Sequence, residues 1–211
     1  MSQLDTKTRI LDAGEHLFAR DGFHNTSLRT ITSLAKANLA AVNYHFGSKE
    51  ALLRAVIERR LLPLNQLRKE QIDAVLAEAA ATGTAPSAKS LLRAFIEPTL
   101  AFRSAGPGAQ DFIALVGRSM SEPDETVRNC FIGLVLPNFR LFFESLQRAL
   151  PQLPTAVLMA RVQFTLGAMS HVMCTSNKPP INISAAPQPL DDDELAEQLL
   201  QFVSTGLEAP Q

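Results

Sequence analysis

The 211-residue sequence predicts an all-α chain, with three short N-terminal helices leaning on a fourth and joined to a larger set of long helices. Three observations predict it. Apolar residues recur at i, i+3 and i+4, the spacing of one helical face. No run alternates apolar and polar residues between hairpin turns, as a strand would. Breaks between the runs carry Gly, Pro or Ser/Thr/Asn where helices stop and start.

The first helix is expected over about Thr6–Asp21, with Ile10, Ala13, Gly14, Leu17 and Phe18 on one face. Asp5 or Thr6 can cap it, and Gly22 ends it in the left-handed conformation. A second, short helix follows Thr26 and Ser27, with Leu28, Ile31 and Leu34 inward. Asn38 caps a third, ended by Gly47, and Ser48 caps a longer fourth. Such short helices cannot build a core alone, so Leu52, Leu53, Val56 and Ile57 of the fourth must complete it.

Farther on, ATGTAPSA (81–88) is a loop. Helical spacing resumes at Leu91, Leu92, Phe95, Ile96 and Phe102, with a kink at Pro98. SAGPG (104–108) is a turn before Phe112, Ile113, Leu115, Val116 and Met120. Pro123 opens a helix running to about Leu150, bent at Pro137. An apolar helix spans about Thr155–Cys174, and KPPINISAAPQPL (178–190) reads as an extended loop. Asp191, Asp192, Asp193 and Glu194 suit the N-terminus of a last helix with Leu195, Leu199, Phe202 and Leu207 inward.

Composition excludes several classes. With 46% hydrophobic residues the chain is globular. Cys130 and Cys174 lack metal spacing and suit a reducing, cytoplasmic compartment. The polar start MSQLDTKTRI is no signal peptide, and no apolar run approaches the roughly 18 residues of a membrane span. Phosphate-loop glycines, a zinc-protease motif and a nucleophile elbow are all missing, so neither an enzyme nor a bound cofactor is expected. The net charge of −1 hides an asymmetry: residues 1–60 carry +3 and the rest −4. The positive end is the candidate for a polyanionic partner.

The stretch NLAAVNYHFGSKEALL (38–53) sharpens that. Small residues at the front of the third helix permit close approach to the edges of bases in a major groove. Leu39, Ala40, Ala41 and Asn43 are the expected base readers. Lys49 opposes the dipole at the start of its helix, a placement that costs about 0.3–1 kcal/mol unless an anion sits there. Thr26, Ser27, Arg29, Tyr44, His45 and Lys49 are therefore the expected contacts to the DNA backbone.

The whole segment TRILDAGEHLFARDGFHNTSLRTITSLAKANLAAVNYHFGSKEALL (8–53) resembles the DNA-binding domain of the TetR family of bacterial transcriptional regulators. The resemblance implies a helix-turn-helix DNA-binding domain over 1–47 and a helical ligand-binding and dimerisation domain over 48–211. It implies a homodimer on a palindromic double-stranded operator, acting as a repressor released by a small effector. Two positions depart from the family pattern. Lys36 stands where the family usually has glycine, and Asn43 where many members have an aromatic. The wording NLAAVNYHFGSK is similar to members of the PsrA type, which implies a fatty-acyl effector.

In the C-terminal part, an apolar cavity is expected among Phe95, Phe102, Phe112, Phe139 and Phe143, with Arg118, Gln163 and His171 as polar wall residues. His171, Met169, Met173 and Cys174 lie close in sequence, but a metal site would need a second cluster. The last two helices carry apolar surface enough for pairing with a second copy. The alternative is a helix-turn-helix dimer without inducer, serving as a constitutive DNA-binding or protein-interaction module.

Overall fold

The computed structural model describes residues 3–103, 105–106, 108–121, 125–174 and 190–210, with backbone alone at 3, 4 and 118–121. Among them are nine helices and no strand. These are α1 (Gln3–Asp21), α2 (Leu28–Leu34), α3 (Leu39–His45), α4 (Lys49–Thr82), α5 (Ala88–Phe102), α6 (Ala109–Ser121), α7 (Glu125–Ala149), α8 (Thr155–Cys174) and α9 (Asp192–Glu208). The expected helix start at Pro123 and the expected loop 178–189 fall outside the described residues.

Local chemistry sets most boundaries. The side chains of Ser27, Asn38, Ser48 and Ser87 each accept an N–H from three residues on. Each such cap contributes about 1 kcal/mol. Asp191 and Glu194 form a reciprocal capping box at the start of α9. Gly22 and Gly47 take φ of 81° and 80° just past α1 and α3, where a side chain would be strained. Pro98 and Pro137 lie within α5 and α7, and Pro63, which sequence reasoning passed over, lies within α4. Each proline removes one donor from its helical ladder.

The chain forms two packing units, residues 1–65 with 105–137, and residues 66–104 with 138–211. The expected division at residue 47 falls inside the first unit, because the start of α4 packs with α1 to α3. The core of this unit includes Ile10, Leu17, Phe18, Ile31, Val42, Leu52, Leu53, Val56 and Ile57. Against α1 also lies α6, through Ala109, Phe112 and Ile113.

One buried carboxylate ties α1 to α4. Glu15 is 2% exposed and accepts from Arg60 at 2.8 and 2.9 Å and from Arg59, while Arg59 also reaches Asp12 at 2.6 Å. The bond to Glu15 holds the Arg60 guanidinium above its ordinary pKa, against the opposing effect of burial. Gly108 (φ 85°) closes over this cluster. A Cβ there would collide with the Arg60 guanidinium, so a larger residue would displace that side chain as well as strain the backbone.

The second unit is built around Leu91, Leu92, Phe95, Ile96, Phe142, Leu146, Leu158, Val162, Leu199, Leu200 and Val203. Phe95 stacks on Phe142 with centroids 4.2 Å apart, and the Arg68 guanidinium lies 4.3 Å over the Phe95 ring. Arg68 donates to the Phe95 carbonyl at 3.2 Å and to the Thr99 hydroxyl, and burial pulls its pKa down to about 10. Arg161 of α8 donates to the carbonyls of Leu207 and Ala209, which fixes the end of α9.

Two expected core residues are on the surface. Leu34 is 52% exposed and Phe202 is 72% exposed. Periodic apolar spacing identifies a face but not what covers it. The expectation that no segment could span a membrane also needs correction. By length and composition alone α8 is apolar enough. Arg161, Gln163 and His171 interrupt its apolar run without lowering the average much.

Candidate nucleic-acid interface

The first unit presents α3 outward. Val42 is fully buried and anchors the helix, while Leu39, Ala40 and Asn43 are exposed and Ala41 is half-buried. These are the four expected base readers, and the structure puts them on one short helix whose front carries small side chains. Asn38 fixes the helix start by accepting the Ala41 N–H at 2.8 Å.

The expected backbone contacts divide. Tyr44 is 73% exposed and its ring meets His45 edge-on at 5.1 Å. His45 is half-buried, with Phe46 at 6.0 Å on its other side. Ser27, the cap of α2, and Arg29 on that helix are exposed. Lys49 lies 4.3 Å over the Phe23 ring and donates to the His24 carbonyl at 3.5 Å, so its ammonium is held beside the first turn of α4. Thr26 differs. Its buried hydroxyl donates to the carbonyls of Leu17 and Gly22 at 3.1 and 2.8 Å. It shapes the turn between α1 and α2, and Ser27 is the residue left facing out.

Sequence reasoning did not find Arg9. It lines a cleft of about 480 Å³ beside α3, together with Thr6, Lys36, Asn38, Ala40, Tyr44 and His45. Lys36 has φ of 49°, a left-handed conformation in a residue other than glycine. Its position in a turn where glycine was expected was the available signal.

The expected ligand-pocket residues are divided between the two packing units. Phe112 belongs to the first unit and the Arg118 side chain lies outside the described residues. In the second unit Phe95 is core, Phe139 and Phe143 stack at 6.1 Å, and Phe102 is half-buried. Gln163 and His171 are exposed, because the buried stripe of α8 runs through Leu158, Val162 and Thr165. A cleft of about 470 Å³ in this unit is lined instead by residues including Glu97, Leu100, Arg103, Val172, Asp192 and Leu195. Its rim is more acidic than basic. Among the described residues no cluster of three His, Cys, Asp or Glu could hold a metal.

Comparisons with known proteins divide along the same sequence. Residues 10–56 match the family described as "Bacterial regulatory proteins, tetR family". Residues 93–206, more than half the chain, match "Tetracyclin repressor-like, C-terminal domain". The HTH-type nicotine-responsive transcriptional repressor HdnoR of Paenarthrobacter nicotinovorans is 41% identical over 64 residues, covering 30% of this chain and 33% of that protein. The HTH-type transcriptional regulator UidR of Escherichia coli is 40% identical over 52 residues, 25% of this chain and 26% of that one. The chain thus spans a third or less of the length of these curated relatives. Among solved structures, the transcriptional regulator FadR from Bacillus subtilis in complex with stearoyl-CoA has a TM-score of 0.67 at 14% identity, covering 94% of this chain and 98% of that one.

Proposed function

The chain belongs to the TetR family of bacterial regulatory proteins, and from that premise we propose that it is a sequence-specific, DNA-binding transcriptional repressor. The observation that carries this reading is the exposed face of α3, flanked by outward hydroxyls and cations at Ser27, Arg29, Tyr44 and Lys49. A major groove admits such a helix, and phosphates on either side meet the flanking groups.

The working form is a homodimer on a palindromic operator. Two copies of α3 must reach successive grooves about 34–36 Å apart, or a multiple of that. The surface that supports pairing lies on α8 and α9. Phe164 is 75% exposed, and Gly167 and Gly206 stand where an added Cβ would meet nothing within 4 Å among the described residues. Packing among the described residues does not demand their small size, which permits a second copy to come close.

A small apolar effector bound in the C-terminal helices would release the operator by shifting α4, which contributes residues to both packing units. An acyl chain is one such effector, and the neighbour of like fold that holds stearoyl-CoA supports testing it first. Compounds that raise the melting temperature should lower operator affinity; a stabilising compound set with no effect on DNA would refute the coupling.

For base reading, Asn43→Ala should cost about 1–3 kcal/mol against operators that keep one particular base pair, and little when that pair is changed. Fragments selected from random duplex DNA supply the operator, and titration of single-pair variants supplies the readout. An equal loss on every sequence would assign Asn43 to the backbone instead.

A further inference from the structure

We propose that the cleft beside α3 seats one DNA backbone phosphate, held by Arg9 of α1 and Lys36 of the α2–α3 turn. The proposal rests on the DNA-binding reading above and adds two contacts to the set that the family resemblance implied.

The cleft's lining is cationic and hydroxylic. Arg9, Lys36, Thr6, Tyr44 and His45 border it, and no carboxylate does. Asp5, outside the lining, sits 3.7 Å from the Arg9 Nε. Arg9 is held in place from two sides: it donates to the Thr6 hydroxyl at 3.2 Å and, over a long 3.5 Å, to the Lys36 carbonyl. Its Nε is buried with no hydrogen-bond acceptor. A guanidinium so placed has lost much of its water and has made few strong bonds in return, which favours an incoming anion. Its planar fork suits two phosphate oxygens.

Lys36 adds the second cation from the exposed turn. Its backbone is fixed by its own N–H to the Ser33 carbonyl at 3.3 Å and by the Ala37 N–H to the Thr32 carbonyl at 3.0 Å. The turn therefore projects the lysine from a defined point at the edge of α3. The two strands that border a major groove pass on either side of an inserted helix, so a cationic seat beside α3 lies where one of them runs. The cleft is open, and its two rings, Tyr44 and His45, meet edge-on, so they form no parallel pair for a base to stack between. A phosphodiester of the same duplex read by α3 is its occupant, in preference to a nucleotide or free phosphate.

The left-handed backbone of Lys36 provides a test that separates binding from folding. In Lys36→Gly the strain at φ 49° is relieved and the cation is lost. The full-length variant should melt at or above the wild-type temperature, yet bind its operator about tenfold more weakly per half-site. Arg9→Gln should weaken binding similarly. In both, the plot of log affinity against log salt should flatten, by up to about 0.9 for each phosphate lost. Inorganic phosphate, tested at matched ionic strength, should not compete with the duplex. Wild-type affinity and salt slope in both variants, on DNA that the parent chain binds, would overturn the proposal and leave the regulator reading intact. A parent chain that binds no duplex would overturn both, so the two failures are distinct.

Discussion

Replacing Glu15 by alanine should destabilise the chain by about 3 kcal/mol or more, read as a lower urea midpoint with an unchanged slope. The expected size follows from what is left behind. Arg59 and Arg60 both point their guanidinium groups at the Glu15 carboxylate, which is almost wholly buried. Without it, two partly buried guanidinium groups lose the carboxylate they share, and Arg59 keeps Asp12 on the exposed side. Removing a single partner from such a cluster costs far more than the cluster contributes in net stability. The loss should also reach DNA binding, since the cluster holds α1 to α4, and α1 buttresses α2 and α3. Glu15→Gln, which keeps the shape but not the charge, should recover part of the stability. Gly108→Ala should act on the same cluster from the other side, because its added methyl collides with Arg60. Wild-type stability for Glu15→Ala would show that the two arginines are well solvated without it.

The paired change Phe164→Glu and Phe202→Glu should turn a dimer into a monomer in sedimentation and lower operator affinity by about 100-fold or more. Both rings stand largely in solvent on α8 and α9, so neither replacement removes core packing. Folding should survive, as checked by the melting temperature, while like charges disrupt the symmetric interface. The large loss of affinity arises because the second half-site contact is intramolecular in a dimer and bimolecular in a monomer. A double variant that remains dimeric would move the pairing surface away from these two helices.

Much of the fold was legible from local chemistry. The caps at Ser27, Asn38, Ser48 and Asp191 and the stops at Gly22 and Gly47 depend on neighbours within a few residues. What the sequence hid depends on partners far along the chain. Glu15 meets Arg59 and Arg60, more than forty residues on, and nothing in its local sequence announces that pairing. Phe202 has the spacing of a core residue, yet it faces out, because one helix can carry a core stripe and an interface stripe at once. Leu34 shows the same ambiguity on a shorter helix.

The candidate site was legible for a similar reason. Helix α3 is short, continuous in sequence and capped at its start, so the outward placement of Leu39, Ala40 and Asn43 follows from helical geometry. Thr26 was misplaced because its hydroxyl turns inward to two carbonyls, a choice made by the turn and not by residue type. Arg9 was missed because α1 meets the α2–α3 turn only once the helices pack. Which phenylalanines are core was not legible. Phenylalanine content cannot distinguish the stacked core pair Phe95–Phe142 from a cavity wall.

The most direct test of the account is the salt dependence of binding between the full chain and a duplex selected from random DNA. With at least two phosphates held by each protomer of a dimer, log affinity should fall against log salt with a slope of about −3.6 or steeper. Tyr44→Ala and Lys49→Ala should each make that slope shallower. Absence of binding to any duplex even at very low ionic strength, or binding with no dependence on salt, would contradict it.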